Sequence, residues 1–182
     1  SVYAADLDGD GDMDIVSAAR LSGRVTIHLN DGNSNFTVNT QVLSSNFSGV
    51  TKVLAMDINL DGRTDIVAAS ATTGSIQLFL QQTGLGFNST VIPGNPASGI
   101  SDMILRDLNR DGLPELILSS STQNRLVFYT NDGNGLFNNP VFIDQQSAGI
   151  NDIHAADLDA DGDLDILAAL SGSDRLVWYE NS

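Results

Sequence analysis

The sequence holds no cysteine, which removes disulfides, thiolate metal sites and cysteine nucleophiles together. Basic side chains are scarce: 8 Lys and Arg stand against 23 Asp and Glu, a formal net charge of −15. A surface of that sign repels nucleic-acid phosphates and anionic lipid headgroups. The 2 histidines leave imidazole catalysis few places to reside. No apolar run is long enough to span a bilayer and no leader segment is read, so direct membrane insertion is not expected. No stretch carries the period and caps of a helix. A start at Ser1 rather than methionine predicts a processed or excised segment.

What is present is 182 residues, 41% hydrophobic, enough for a substantial core. The acid is gathered. Sixteen of the 23 acidic residues fall in four short windows: DLDGDGDMD from Asp6, DINLDGRTD from Asp57, DLNRDGLPE from Asp107 and DLDADGDLD from Asp157. The windows start 51, 50 and 50 residues apart, and self-similarity at such a period signals a repeat architecture. The likeness extends beyond the acid. Phe36, Phe87 and Phe137 hold one offset, RVTIHL, SIQLFL, RLVFYT and RLVWYE hold another, and SGV, SGI and AGI precede the second, third and fourth windows.

Each repeat reads as four short strands. An apolar run such as VLAM (53–56) leads into the acidic loop; DIVSAA, DIVAAS, ELILSS and DILAAL follow it. These second runs are almost wholly apolar or small, as befits a strand covered on both faces. The RVTIHL-type segment is the third strand, and turns such as NDGN (30–33) or NDGNG (131–135) lead to a fourth. Four antiparallel strands per unit of about 50 residues is the blade of a β-propeller. The expected fold is therefore all-β: a propeller of four-stranded antiparallel blades, three full and a partial fourth. The repeats fall at about 1–49, 50–99, 100–149 and 150–182 of a single segment. The missing fourth strand predicts first of all membership of a longer array, with association of two chains into one ring or an imperfectly closed four-bladed propeller as the alternatives.

Each loop reads D-x-[D/N]-x-D-G-x-x-[D/E]. Side chains at positions 1, 3, 5 and 9 offer oxygen, position 7 can offer its carbonyl, and glycine at position 6 permits a sharp bend. Ca²⁺ takes six to eight oxygens, whereas Mg²⁺ demands octahedral geometry and keeps waters. Transition metals favour the imidazole and thiolate that these loops lack. An EF-hand needs Glu at position 12, which is Ser17, Ala68, Leu118 and Ala168 here. Asp and Gly also make ordinary turns, but one turn does not recur four times with its oxygen donors in register. Four divalent ions, one per repeat, would offset about half of the net charge of −15. Loops 1 and 4, with four acidic ligands each, are expected to bind more tightly than loops 2 and 3, which carry Asn59 or Asn109 and lie near Arg63 or Arg110.

These loops, the four-stranded unit and the [S/A]G[V/I] junctions resemble the FG-GAP/VCBS repeats of integrin α-type propellers, although none of Phe36, Phe87 and Phe137 is followed by glycine. The resemblance covers essentially the whole chain. It implies Ca²⁺ in the hairpin between the first two strands of each blade. Carried over by position, the ligands are Asp6, Asp8, Asp10, Asp12 (carbonyl) and Asp14, then Asp57, Asn59, Asp61, Arg63 (carbonyl) and Asp65. The third set is Asp107, Asn109, Asp111, Leu113 (carbonyl) and Glu115, and the fourth is Asp157, Asp159, Asp161, Asp163 (carbonyl) and Asp165. It also implies a secreted or cell-surface module that recognises a glycan or an extracellular protein. A structural segment of a large surface or filament protein, or an accessory domain of a secreted carbohydrate-active enzyme, are the alternatives.

Catalysis by this chain is not expected. His28 shares its offset with Phe79, Tyr129 and Tyr179 and is expected to pack, and His154 is expected to be solvated. Phe128, Tyr129, Trp178 and Tyr179 could form an aromatic sugar platform. Ile27 and Leu78 share the offset of Phe128 and Trp178, however, which favours packing. Asn95, Asn138 and Asn139 are candidate polar contacts, and Asn35, Asn46 and Asn88 open glycosylation sequons.

Overall fold

The structure, a computed structural model, describes residues 1–36, 40–94 and 98–182. Asn95, one of the candidate polar contacts, lies outside the described residues. The described residues form strands, turns and loops with no helix. Blade 1 comprises β1 (Val2–Ala5), β2 (Asp14–Ala19), β3 (Arg24–His28) and β4 (Thr40–Ser44). Blade 2 comprises β5 (Val50–Met56), β6 (Asp65–Ser70), β7 (Ile76–Gln81) and β8 (Phe87–Ile92). Blade 3 comprises β9 (Ile100–Arg106), β10 (Glu115–Ser120), β11 (Arg125–Tyr129) and β12 (Val141–Asp144). Blade 4 has three strands: β13 (Ile150–Ala156), β14 (Asp165–Leu170) and β15 (Arg175–Tyr179). Within each sheet the strands follow chain order and pair antiparallel.

The second strands behave as their composition demands. Every residue of β6 and β10 is buried, whereas β2 and β14 alternate between buried and half-exposed positions. A continuous apolar run fits a strand with both faces covered.

The [S/A]G[V/I] junctions have a backbone cause. Gly49, Gly99 and Gly149 sit at φ of +71°, +73° and +68°. Their carbonyls accept the amides of Ala71, Ser121 and Ser171 at 3.1, 3.2 and 2.9 Å, tying each junction to the turn after the second strand of its blade. A Cβ on Gly49 would fall 2.1 Å from Thr72 Oγ1, and one on Gly99 1.9 Å from Thr122 Oγ1. Both dihedral and space therefore require glycine.

The chain divides into two compact units, Ser1–Ile92 and Pro93–Ser182. In the first, Leu7, Val16, Val25 and Ile27 share a core with Val50, Val53, Ile66 and Phe79. In the second, Ile117 and Leu126 share one with Ile150, Ile153, Ile166 and Leu170. Each core joins the third strand of one blade to the first strand of the next. Burial of each such side chain contributes about 1.5–3 kcal/mol.

Candidate metal centres

Each acidic loop curls around its own first carboxylate. The position-6 glycine amide donates to position 1 in all four: Gly11 to Asp6 (3.1 Å), Gly62 to Asp57 (2.8 Å), Gly112 to Asp107 (3.0 Å) and Gly162 to Asp157 (3.1 Å). The position-7 amide donates to position 5: Asp12 to Asp10, Arg63 to Asp61, Leu113 to Asp111 and Asp163 to Asp161, all within 2.8–3.0 Å. This amide bonding fixes the first and fifth carboxylates to the loop's own backbone.

Position 4 takes a left-handed conformation throughout. Gly9 adopts it freely, but Leu60, Arg110 and Ala160 stand at φ of 57°, 60° and 65°. Non-glycine residues rarely sit there without a structural demand. The sequence carries one hint, the glycine at this place in loop 1.

Position 9 differs in kind from the others. Asp14, Asp65, Glu115 and Asp165 are all fully buried. Asp14 Oδ2 accepts the Leu7 amide and Oδ1 the Asn30 amide, both at 2.8 Å. Asp65 accepts from Ile58 (3.0 Å) and Gln81 (2.8 Å), and Asp165 from Leu158 (3.0 Å) and Asn181 (2.9 Å). One carboxylate thus fastens the loop's second residue to the end of the third strand (Gln81) or to a residue just past it (Asn30, Asn181), a staple role that reading the motif alone does not reveal. Glu115 accepts the Leu108 amide at 2.8 Å, while its Oε1 is buried without a hydrogen bond.

The environments also differ. Burial pushes Asp65 up, against the Gln81 and Ile58 amides, and the charges of Asp61 and Asp57 add to the rise. Burial pushes Glu115 up likewise, with Asp111 adding to it against the Leu108 amide. Asp165 is held below the ordinary carboxylate range by the Asn181 and Leu158 amides. Asp8 is raised, first by burial and then by the charges of Asp14 and Asp10, against the Asp10 amide.

Among the described residues, the structure brings acidic oxygens together in two loops. One atom each from Asp6, Asp8 and Asp14 lie within 4.8 Å of one another, as do atoms from Asp157, Asp159 and Asp161. Asp10 stays outside the first group and Asp165 outside the second. Loops 2 and 3 do not draw three carboxylates together in this way. There, Asn59 donates to Asp61 and Asn109 to Asp111, both at 2.9 Å, and Arg63 pairs with Asp61. Arg110 reaches from loop 3 to Asp163 of loop 4 at 2.7 Å, so that position-7 side chain is committed to an ion pair.

The donor set fits a hard divalent cation: oxygen throughout, three or four formal charges per loop, no imidazole. A second observation comes from loop 3, where buried Asp107 Oδ1 has no hydrogen-bond partner. A buried, unsatisfied carboxylate oxygen is costly, and it lies at the first ligand position.

A polar cleft of about 510 Å³ opens between loops 1 and 2. It is lined by Asp6, Asp8, Arg63, Thr64, Gln81 and Gln82, among others, and its volume is within the usual range of small-molecule sites. Thr64 Oγ1 donates to the Asp6 carbonyl at 2.9 Å and Gln81 Nε2 to the Leu7 carbonyl at 2.6 Å, bracing the two loops. No sequence pattern singles this cleft out.

Among the other candidates, Ile27 and Leu78 are fully buried, as the packing reading expects, while Trp178 is 46% exposed and departs from it. His28 is half-buried between the Ser17 and Thr40 hydroxyls, at 3.2 and 3.5 Å, a more polar setting than the core of Phe79. His154 and Asn139 are exposed, and Asn138 donates to Thr130 Oγ1 at 2.9 Å. Tyr179 donates to Asp144 at 2.5 Å. The sequon residues Asn46 and Asn88 are exposed and Asn35 is half-buried.

Antiparallel four-stranded blades, each with an acidic hairpin between its first two strands, define an all-β propeller with three full blades and a partial fourth. The chain belongs to the FG-GAP-like repeat family, whose repeat matches residues 6–68, 57–118 and 107–168. Similar solved structures include a lectin of Agrocybe aegerita described for specific recognition of non-reducing terminal N-acetylglucosamine. It is 21% identical with a TM-score of 0.68, over 93% of this chain and 46% of the lectin. A Photorhabdus luminescens Tc holotoxin pore is 22% identical with a TM-score of 0.55, over 98% of this chain and 9% of that one. The V. cholerae biofilm matrix protein Bap1 is 18% identical with a TM-score of 0.51, over 100% and 30%. The chain thus spans less than half the length of each. No curated protein matches the sequence.

Proposed function

We propose that this protein is a calcium-clamped recognition module of the cell exterior, which binds a glycan or a glycan-bearing protein and performs no catalysis itself. The observation that carries the calcium is the one loop geometry built four times from oxygen donors, with Asp107 Oδ1 buried and unpartnered at a ligand position. Ca²⁺ would be held by side chains at positions 1, 3 and 5, by the position-7 carbonyl, and by whatever valence position 9 retains beyond its amides. When bound, it supplies the positive charge that lets neighbouring carboxylates share one loop.

The recognition reading rests on the polar cleft between loops 1 and 2. Gln82 is exposed there, and its amide with the Asp6 and Asp8 carboxylates suits a hydroxyl-rich ligand better than an apolar one. The likeness to a lectin agrees with this class of ligand. Three of the cleft's residues, Asp6, Asp8 and Arg63 (by its carbonyl), are also candidate calcium ligands, so the two roles are coupled.

A glycan array probed in millimolar calcium and again in chelator tests the proposal. Calcium-dependent retention of one glycan class, lost in Gln82→Ala, is the expected result. Calcium binding by native mass spectrometry with no glycan retained would leave the clamp and remove the recognition reading.

A further inference from the structure

The turn between the third and fourth strands is built differently in blade 2 from the turns of blades 1 and 3. Those two read NDGNSN (30–35) and NDGNGL (131–136), and an aspartate caps each. Asp31 Oδ1 accepts the amides of Asn33 and Asn35 at 3.0 and 3.3 Å, and Asp132 Oδ1 those of Asn134 and Leu136 at 2.9 and 3.0 Å. Both turns also lie against the seventh position of their own acidic loop. A Cβ on Gly32 would fall 2.9 Å from Asp12 Oδ2, and one on Gly133 3.2 Å from Leu113 Cδ1.

Blade 2 has QQTGLG (81–86) at this place, with no acid to cap the turn. The closing bond is kept. The Gln82 amide donates to the Gly86 carbonyl at 2.7 Å, as Asp31 does to Asn35 at 3.2 Å and Asp132 to Leu136 at 3.0 Å. The packing is not kept, since a Cβ on Gly84 would meet nothing within 4 Å. Arg63, at the seventh position of loop 2, gives its guanidinium to Asp61 and to the Gln81 carbonyl. The turn borders the cleft between loops 1 and 2, which Gln82, Gly84 and Leu85 line.

Leu85 sets the chemistry of that wall. It is half-buried and stands at φ of 61°, the place that Ser34 takes in blade 1 at 62° and Gly135 in blade 3 at 75°. A bulky apolar residue in the left-handed region is an outlier of the kind that gathers at ligand clamps. Nothing in the turn itself calls for leucine, because serine and glycine hold the same conformation in the other blades. Leu7, the other large apolar residue of the cleft, is 2% exposed, so Leu85 is the apolar surface that a ligand can reach. The Asp6 and Asp8 carboxylates and the Gln82 amide share the cleft with it.

We propose that Leu85 is a specificity-determining residue of this cleft, and that it selects a sugar whose substituent ends in a methyl group, either an acetamido group or a 6-deoxy carbon. The inference rests on the reading of the cleft as a glycan site. Sugar hydroxyls donate to the carboxylates and bond to the amide, while the methyl group lies on Leu85 and leaves water. One such carbon is worth about 10–200-fold in an enclosed apolar site, and about tenfold in a half-open one.

Saturation-transfer NMR titrations of the full chain in millimolar calcium test it with two matched pairs of probes: N-acetylglucosamine against glucose, and L-fucose against L-galactose. The expected result is a preference of about tenfold for the methyl-bearing member of one pair, with its methyl protons the most strongly saturated. The pair that shows it identifies the substituent. Leu85→Gly and Leu85→Asn both suit a left-handed position. Each is expected to abolish the preference, to keep binding of the plain sugar, and to leave Tm no lower than in the wild type. Sugars that bind without preference in either pair overturn the inference while the glycan reading stands. A preference that survives both substitutions overturns it likewise. Loss of preference with a fallen Tm in both variants makes Leu85 a packing residue and overturns it too. A wild type that binds none of the four probes also overturns it, and the glycan array then decides whether the glycan reading falls as well.

Discussion

Loops 1 and 4 and loops 2 and 3 share one frame and solve its electrostatic problem differently. In loops 1 and 4 the carboxylates approach one another with few protein cations to offset them, within 4.8 Å for the trios Asp6, Asp8, Asp14 and Asp157, Asp159, Asp161. In loops 2 and 3 an asparagine replaces the third-position acid and turns its amide on the fifth-position carboxylate. Arg63 adds a guanidinium to Asp61 as well. The frame itself, glycine amide to first carboxylate and buried ninth carboxylate to backbone, is common to all four. The backbone thus decides where oxygens go, and the third position and its neighbours decide how much charge is left for a cation.

The largest expected effect follows from supplying that cation. A ligand present at about 100 times its Kd stabilises by about 2.7 kcal/mol per site. For a chain of this size several such sites should raise Tm by about 10 °C or more. Calorimetry in calcium and in chelator measures it, and an unchanged Tm would mean that the four loops are turns only. Asp65→Ala comes next. It leaves the Ile58 and Gln81 amides unsatisfied in a buried place, costing about 3 kcal/mol even in chelator. Asp159→Ala, at an exposed third position, should cost under about 0.5 kcal/mol in chelator and lose an ion in calcium. Equal urea midpoints for the two variants in chelator would dissolve the distinction between staple and ligand.

Loop 2 can be converted toward loop 1. Asn59→Asp with Arg63→Met restores a fourth acid and frees Asp61, and should raise calcium affinity at that loop by about tenfold. Titration calorimetry resolves the change; an affinity that stays flat would place the control of binding elsewhere than in local charge. Outside the loops, Asp144 is a carboxylate served wholly by the protein. Burial pushes it up, but the Ser147 and Tyr179 hydroxyls and the Gln146 and Ser147 amides outweigh this and hold it below the ordinary range. A depressed carboxylate contributes stability above its unfolded pKa and loses it as pH falls through the folded one. Asp144→Asn should therefore cost about 1 kcal/mol at neutral pH, allowing for partial exposure. The difference should shrink toward zero below the folded pKa of Asp144, whatever the calcium concentration. A calcium-dependent loss would tie Asp144 to the loops.

Much of this arrangement is legible in the residues. The apolar runs of β6 and β10 announce strands covered on both faces, and the junction glycines recur because no Cβ fits beside Thr72 or Thr122. The alignment of Trp178 with Ile27 misleads because Ile27 shares its core with Val50 and Val53 of the following first strand, and no such strand follows blade 4 within the described residues. The staple role of Asp14, Asp65 and Asp165 is hidden because their second amide comes from the far end of the third strand. That distance is set by folding, not by the motif. Arg110, reaching from loop 3 to Asp163, is invisible for the same reason.

The smallest effect tests the frame itself. Ala160 holds φ at 65° where Gly9 stands in loop 1 at 78°. A left-handed L-residue costs about 1–2 kcal/mol, and glycine returns about 0.5–1 kcal/mol of that through greater freedom in the unfolded chain. Ala160→Gly should accordingly stabilise the chelated protein by about 0.5 kcal/mol. The same substitution at an ordinary strand position would destabilise, so the sign of the change carries the result. Chemical denaturation with paired wild-type controls resolves it. If Ala160→Gly destabilises instead, the left-handed turn is not a feature of the cation-free loop. The close approach of Asp157, Asp159 and Asp161 would then depend on the ion rather than precede it.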